Sequence, residues 1–292
     1  MSLCRILVVT TVILSIMFVI LTALCCSSRS GFADQHISEL NQSSSAEKEK
    51  YTQLQDVLEQ PMILSYSLWG DAPCYNYGML ENALMAREYY KNALVYIYAD
   101  TNTVLPEVLE LLQEIPYVKI IPSSTKCMYS TRFTPCFESD LPVLSRDADS
   151  RISSRECAAV REWLESDKDF HIMRDDPDGH WSSIMGGMFG ARNGAMKPFS
   201  EIFEKGIQDS QWNCDQDFLN KNVYPRVKDK SFIHDEYKTY FNEEDSQAFP
   251  EPGGSHVGQI DCESYHRASA IIGKPIDGSY RPPVIWDGIS NA

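Results

Sequence analysis

Two aspartates separated by one alanine follow an apolar run in the middle of the chain. Asp147 and Asp149 come directly after residues 141–145 (LPVLS), a pattern typical of a buried β-strand. Two carboxylates at a strand end can point toward one centre if the backbone turns there. Hard divalent cations prefer oxygen ligands, and Mg²⁺ or Mn²⁺ commonly links carboxylates to diphosphate oxygens. Asp147 and Asp149 are therefore candidate ligands of Mn²⁺ or Mg²⁺, although an isolated Asp-x-Asp is usually a solvated turn.

Other polar and aromatic residues near predicted strand ends can bind a ligand. Trp69 and Tyr66 can stack on a base or a sugar, although buried core aromatics are the commoner case. Arg174 can contact a phosphate through two hydrogen bonds, or it can belong to an internal ion network. Gly186 and Gly187 permit a ligand to approach the backbone closely, or they form an ordinary loop.

The charge of the chain excludes one class of partner. The sequence has 26 Lys and Arg against 41 Asp and Glu, which gives a net charge of −15. Nucleic-acid backbones repel such an acidic protein, and no counterion release favours association, so we expect no nucleic-acid partner. A small anion such as a nucleotide needs a local positive centre, which a bound metal ion supplies.

Alternating strand and helix patterns predict the framework that positions these residues. This order is typical of an α/β fold with a mostly parallel, Rossmann-like sheet and helices on both faces, in which ligands bind beyond the carboxyl ends of the strands. From about residue 183 the pattern is less regular, and we assign that part to the acceptor side of the same domain. The predicted strands are 62–67, 94–98, 117–121, 141–145 and 170–173, and the predicted helices are 78–90, 106–115 and 153–164.

The amino-terminal residues predict a transmembrane helix. Residues 6–26 carry no charged side chain, and a helix of that length spans roughly 30 Å, the thickness of the bilayer hydrocarbon. The alternative is a cleaved secretory signal, which would make the protein secreted. We predict a cytoplasmic tail at 1–5, a signal-anchor at 6–26, a flexible stem at 27–58 and a lumenal domain at 59–292. The chain is then a single-pass type II membrane protein that faces the lumen of the Golgi or endoplasmic reticulum.

Cysteine usage agrees with an oxidising lumen. Six of the nine cysteines lie in the body of the chain, and an even number allows up to three disulfides. Cys127 and Cys136 are the first choice for a local bridge, whereas six buried free thiols are the alternative. Asn41 begins a glycosylation acceptor triplet, which makes a glycoprotein the expectation. The six cysteines are Cys74, Cys127, Cys136, Cys157, Cys214 and Cys262.

The segment 145–156 (SRDADSRISSRE) resembles the DxD region of GT-A-type glycosyltransferases. More narrowly, it is similar to a poorly characterised group of glycosyltransferase-like proteins. Further landmarks of that group match 67–70 (SLWG), 171–177 (HIMRDDP), 186–190 (GGMFG) and 215–219 (DQDFL), so the resemblance covers roughly residues 62–235. It implies a GT-A-like fold and transfer of a sugar from a nucleotide-sugar donor to a glycan or protein acceptor. It also implies that Asp147 and Asp149 hold a divalent metal and the donor diphosphate.

The resemblance also suggests roles for later residues. Asp215-Gln216-Asp217 resembles an element at the reaction side of the donor sugar, where a carboxylate can orient an acceptor hydroxyl or accept its proton. Its alternative is a helix N-terminus, where the backbone dipole favours acidic groups. His234 can complete the metal shell, although a single histidine is more often structural. The donor-binding candidates are Tyr66, Trp69, Gly70, Arg151, Arg174, Gly186 and Gly187.

Two other functions would use the same features. A glycan- or partner-binding ectodomain without catalysis would bind its acceptor and would be indifferent to chelators. A metal-dependent phosphohydrolase would use the same aspartates but would hydrolyse the nucleotide-sugar and transfer no sugar to an acceptor. Our expectation is a metal-dependent glycosyltransferase.

Overall fold

The structure is a computed structural model, and it describes residues 57–273 apart from 177, 181, 207–212, 238–240, 242, 244 and 251–254. The predicted tail, signal-anchor and glycosylation triplet, and all of the stem except residues 57–58, lie outside the described residues. Within the described part, no helix combines the length and the apolar character needed to cross a bilayer.

Seven strands form one sheet. They are β1 (Met62–Leu68), β2 (Ala93–Ala99), β3 (Val118–Pro122), β4 (Val143–Arg146), β5 (Phe170–Arg174), β6 (Met188–Ala191) and β7 (Ser231–Asp235). Their order is β3-β2-β1-β4-β6-β5-β7, and all neighbours are parallel except the two pairs that include β6. The prediction of an α/β protein with a mostly parallel sheet is confirmed.

Helices connect the strands. The α-helices are α1 (Pro73–Tyr89), α2 (Pro106–Gln113), α3 (Pro135–Glu138), α4 (Ser154–Glu165), α5 (Ser200–Gly206), α6 (Cys214–Phe218), α7 (Tyr224–Val227) and α8 (His266–Ile272). Short 3-10 helices lie at Met128–Phe133, Lys197–Phe199 and Lys228–Lys230, and a π-helical turn at Leu219–Val223.

Two apolar layers cover the sheet. Successive side chains of a strand point to opposite faces, and in β1 Leu64 joins one buried cluster while its neighbour Ile63 joins the other. The first cluster packs β1 and β2 against α1, α2 and α4, with Trp163 fully buried. The second is rich in phenylalanine and contains residues of α3, α5 and α6. The sheet is thus buried on both faces, as a mostly parallel sheet requires.

All eight predicted elements are present, with shifted ends. Helix α1 begins at Pro73 instead of residue 78, because proline is well suited to the first helical turn, where its missing N–H costs nothing. Ser153 caps α4, and its Oγ accepts a hydrogen bond from the amide of Glu156. The short strand β6 was not predicted, and its four residues include a glycine.

The predicted bridge between Cys127 and Cys136 is wrong. Cys127 pairs with Cys214, and Cys74 pairs with Cys262. The 3-10 helix Met128–Phe133 separates the two predicted partners, and Cys136 is instead buried as a free thiol in the phenylalanine-rich cluster. Disulfide connectivity depends on the fold and cannot be read from spacing alone.

The packing of β6 against α4 predicts a steric effect of Gly190→Ala. A Cβ at position 190 would lie 2.9 Å from ring atoms of Trp163 and 3.0 Å from Leu144 Cδ2. Because Trp163 is fully buried and cannot move aside, we expect Gly190→Ala to lower the free energy of unfolding by about 1–3 kcal/mol.

Gly206→Ala is the matched control for Gly190→Ala. A Cβ at position 206 has no heavy atom within 4 Å, so this change should alter the free energy of unfolding by less than about 1 kcal/mol. Urea unfolding of the two variants and the wild type makes the comparison. Equal unfolding midpoints for the two variants would contradict the packing described for β6.

Candidate functional site

The predicted aspartates lie where the strand order reverses. From β1 the chain passes through α1 to β2 on one side, whereas β4 lies on the other side of β1. Crevices at such a switch point, outside the carboxyl ends of the strands, are the usual ligand sites of open α/β sheets. Ser65 of β1 is in register with Ser145 of β4. Asp147 and Asp149 therefore leave β4 beside the end of β1.

A buried guanidinium joins two acids at this switch point, which is called the crevice below. Arg132 Nη1 lies 2.8 Å from Asp147 Oδ1, and Arg132 Nη2 lies 3.0 Å from Asp215 Oδ2. Arg132 Nε also donates to the Gly186 carbonyl at 3.1 Å. Arg132 is only 4% exposed, whereas the Asp147 side chain is 45% exposed. The cluster is thus closed on the arginine side and open to solvent at Asp147.

Local bonds hold Arg132 in this position. Its amide donates to Ser67 Oγ at 3.0 Å, and Ser67 Oγ lies 2.7 Å from Thr131 Oγ1, which ties the 3-10 helix to the end of β1. The disulfide Cys127–Cys214 joins the residue before that helix to the residue before Asp215. One covalent bond therefore brings Arg132 and Asp215 together from distant parts of the sequence.

The two glycines before β6 are required by this acid cluster. A Cβ on Gly187 would collide with the Asp147 carboxylate. A Cβ on Gly186 would lie 2.6 Å from Arg132 Nη2 and 2.8 Å from Asp215 Oδ2. Arg146 also donates to the Gly187 carbonyl at 2.8 Å. The expected close approach at Gly186 and Gly187 is therefore made, in this structure, by protein side chains.

Hydrogen bonds from three segments fix the backbone that carries Asp149. Asn82 donates to the carbonyl oxygens of Ala148 and Ser150, at 3.2 and 2.7 Å. The Asp261 amide donates to the Asp149 carbonyl at 2.7 Å, and the Cys74–Cys262 disulfide anchors that segment to α1.

Arg151, a predicted donor-binding residue, lies in the same loop. Its guanidinium donates hydrogen bonds to the carbonyls of Ala148, Ser150, Asp261 and Ser264. Arg151 therefore positions the loop.

Two of the acids at the crevice have raised pKa values. Burial and the neighbouring Asp147 together raise the pKa of Asp149 to about 7, although Arg132 and Arg151 lower it in part. Burial also raises the pKa of Asp215 against the attraction of Arg132. A cation bound here would favour the charged form of both carboxylates.

The DQD element divides into three different environments. Asp215 joins the crevice through Arg132. Gln216 accepts a hydrogen bond from the Gly186 amide at 3.1 Å and donates to the Ile184 carbonyl, so it supports the glycine loop. Asp217 is 54% exposed and pairs with Lys221 one helical turn later. The helix N-terminus named as the alternative is also present, since both acids lie in the first turn of α6.

His234 is not brought to the aspartates. Its Nδ1 lies 2.8 Å from His171 Nε2 and its Nε2 lies 3.0 Å from Glu162 Oε2, so both ring nitrogens are engaged within the protein. Burial lowers the pKa of His234. Among the described residues, the group of three potential ligands whose atoms lie within 4.8 Å of one another is Asp176, His180 and His256. Asp147, Asp149 and His234 form no such group.

The remaining predicted donor-binding residues have mixed positions. Arg174 is buried in an ion network with Asp235, at 2.8 Å, and with Glu243. This is the internal ion network that the sequence analysis gives as the alternative.

Tyr66 is 1% exposed and lies in the core. Trp69 is partly exposed and packs edge-on against Tyr129, with ring centres 4.6 Å apart. Gly70 follows with φ +70, and its amide donates to Thr103 Oγ1.

Sequence reasoning missed Arg132, which has the most contacts with the acids of the crevice. It lies in a segment between β3 and β4 that has no periodic pattern. The one signal that could have found it is its position five residues after Cys127, had the Cys127–Cys214 pairing been known.

Comparison with known protein families finds no match, and comparison with curated proteins finds no relative.

The raised pKa of Asp149 predicts how stability changes with pH. The folded pKa is about 7 and the unfolded value is 3.8, so between these values the folded state holds more protons and stability falls as the pH rises. Asp149→Asn removes this group. In EDTA we expect the variant to gain stability relative to the wild type between pH 5 and pH 8, by an amount on the order of a few kcal/mol.

Asp261→Asn is the control of opposite sign. Burial of Asp261 is outweighed by hydrogen bonds from the Glu263 and Ser264 amides, which lower its pKa. The stabilising effect of the charged Asp261 is lost only as the pH falls toward that lowered pKa. Asp261→Asn should therefore lose the same amount of unfolding free energy at pH 5 and at pH 8. Urea unfolding at both pH values measures both effects. A loss of stability at pH 8 in Asp149→Asn would show that Asp149 is a satisfied structural charge.

Proposed function

We propose that this protein is a glycosyltransferase that uses a nucleotide-sugar donor and a divalent cation at Asp147 and Asp149. The observation that carries the proposal is the clustering of Asp147, Asp215 and Arg132 with Gly186 at the switch point of a mostly parallel sheet. The resemblance of residues 145–156 to a DxD region supports the finer assignment to a GT-A-like fold.

The residues at the crevice suit a hard divalent cation. Asp147 and Asp149 offer carboxylate oxygens, the ligands that Mn²⁺ and Mg²⁺ prefer. Asp149 is buried with a raised pKa, so a cation would replace the proton that it holds near neutral pH. When bound, such a cation supplies the positive charge that stabilises the diphosphate leaving group.

The side chains of the chain have separate tasks in this proposal. Asp147 and Asp149 hold the cation. Asp215 accepts the proton of the acceptor hydroxyl, and burial raises its pKa, which makes it a better base than a solvated aspartate. Arg132 keeps Asp215 in place, and its Nη1 group can bind a phosphate oxygen once the half-exposed Asp147 side chain turns from Arg132 to the cation. Arg151 and Gln216 hold the two loops that meet there.

The compartment and partners belong to the same proposal. We place the domain in the lumen of the Golgi or endoplasmic reticulum, anchored through residues 6–26, with a glycan or protein as acceptor. The two disulfides, Cys74–Cys262 and Cys127–Cys214, support an oxidising compartment.

One observation favours a second function. Arg132 pairs with both Asp147 and Asp215, so the protein itself supplies part of the compensating charge, which is compatible with a glycan- or partner-binding ectodomain that has no catalysis. Such a protein would bind its ligand equally well in the presence of a chelator.

Paired isosteric variants test the proposal. Wild-type protein, Asp147→Asn, Asp149→Asn and Asp217→Asn are incubated with a panel of nucleotide-sugars and mixed glycan acceptors in Mn²⁺ or in EDTA. We expect transfer by the wild type to require Mn²⁺ and to fall at least about 100-fold in Asp147→Asn and Asp149→Asn. Asp217→Asn changes the same chemical group on an exposed side chain and should keep wild-type turnover.

The products distinguish the alternatives. Sugar attached to the acceptor supports the transferase, whereas sugar phosphate and nucleoside monophosphate without any transferred sugar would assign a phosphohydrolase. Wild-type transfer by Asp149→Asn, or transfer that EDTA does not affect, would contradict the metal site. Ligand binding without any turnover would favour the ectodomain.

A further inference from the structure

We propose that Asp176, His180 and His256 form a second cation site, which binds Zn²⁺ and uses different residues from the crevice. Their potential ligand atoms all lie within 4.8 Å of one another. Imidazole nitrogens and a carboxylate oxygen are common Zn²⁺ ligands, and three protein ligands with a water in the fourth position are a standard arrangement. The inference does not depend on the proposed function.

The loop that carries Asp176 directs one carboxylate oxygen toward His256. The His180 amide donates to the Asp176 carbonyl at 3.0 Å, which closes the loop. The Asp178 amide donates to Asp176 Oδ1 at 3.0 Å, which leaves Oδ2 free of that bond. Oδ2 lies 3.7 Å from His256 Nε2. Two ligands of one tetrahedral Zn²⁺ lie about 3.3–3.4 Å apart, given bonds of about 2.0–2.1 Å, so a small closure suffices.

Gly179 makes room for this carboxylate. A Cβ at position 179 would lie 2.5 Å from Asp176 Oδ2 and 3.3 Å from its Cγ. Any other residue would therefore push the carboxylate out of its present position. The loop thus depends on glycine at the point where it holds a candidate ligand.

One buried carboxylate joins the two segments that supply the ligands. Asp175 receives two hydrogen bonds of 2.7 Å from Arg155. It also accepts the Val257 amide at 2.9 Å, which holds His256 beside the Asp176 loop. The rings of His180 and His256 are 5.3 Å apart and nearly perpendicular. The ligands are thus positioned by hydrogen bonds from neighbouring residues, as metal ligands usually are.

The hydrogen bonding of His180 favours Zn²⁺ over Mg²⁺. The Asp175 amide donates to His180 Nδ1 at 2.9 Å, so the neutral ring carries its proton on Nε2. Zn²⁺ binds a neutral imidazole through its unprotonated nitrogen, so an ion here would replace the Asp175 amide at Nδ1, and the ring would keep its proton on Nε2. Only a strong Lewis acid with affinity for nitrogen can drive this exchange, whereas Mg²⁺ prefers oxygen ligands and retains its waters.

An ion at this site would stabilise the segment that borders Asp149. Four residues after Val257, the Asp261 amide donates to the Asp149 carbonyl at 2.7 Å. A bound Zn²⁺ would add a link between that segment and the loop after β5. The ion would thus connect two loops that Asp175 also joins, and its fourth position would stay open to water.

Zn²⁺ binding to the full chain tests the inference. Isothermal titration with ZnCl₂ alone is carried out on the wild type, Asp176→Asn, His256→Gln, Asp178→Asn and Asp149→Asn. We expect one Zn²⁺ per chain at this site, with a Kd at least about tenfold weaker in Asp176→Asn and His256→Gln. Asp178 is exposed in the same loop, so Asp178→Asn is the matched control and should bind as the wild type does. Asp149→Asn should keep this Zn²⁺, and MgCl₂ should not compete for it.

Thermal unfolding in EDTA checks that the variants are folded. If Asp176→Asn does not fold, His256→Gln replaces it in the comparison, because His256 is half-exposed. Absence of Zn²⁺ binding by the wild type would overturn the inference. Equal binding in Asp178→Asn and Asp176→Asn would also overturn it. Loss of Zn²⁺ only in Asp149→Asn would assign the ion to the crevice and overturn this site, while leaving the proposed function intact.

Discussion

The contact of one buried guanidinium with two acids organises the carboxyl edge of the sheet. Arg132 binds Asp147 from the loop after β4 and Asp215 from α6, and its Nε holds the Gly186 carbonyl. Without the positive charge of Arg132, the carboxylates of Asp147 and Asp215 would lie close together with no cation between them. A buried charge is tolerated only when it is paired, so the positions of these two loops depend on Arg132 and on the disulfide that brings its helix to α6.

The crevice nevertheless retains an excess of negative charge. The guanidinium of Arg151 is occupied by hydrogen bonds to backbone carbonyls. The pKa of Asp149 is raised to about 7, and burial is the largest cause. A protein that only needed stability would replace such a group with a neutral one. Perturbed acids in a crevice are typical of functional sites, and here the imbalance is of the sign that a divalent cation corrects.

The parts that sequence could predict are those set by local pattern. The apolar run of β4 and the acids after it place Asp147 at a strand end, and the spacing of α4 with its Ser153 cap identifies that helix. The remainder depends on long-range pairing. The disulfide that brings Arg132 to Asp215 joins two cysteines 87 positions apart. The resemblance suggests a metal-binding role for His234, whereas the structure pairs it with His171, which lies 63 positions away. No local pattern encodes either contact.

Anomalous diffraction from crystals grown with Mn²⁺ and a nucleoside diphosphate is the most direct measurement of the central claim. We expect a manganese peak bonded to Asp147 and Asp149 oxygens, with diphosphate oxygens on the same ion and with Asp147 turned away from Arg132 Nη1, which then faces a phosphate. A diphosphate bound elsewhere, or an Asp147–Arg132 pair that persists with no manganese beside it, would contradict the account.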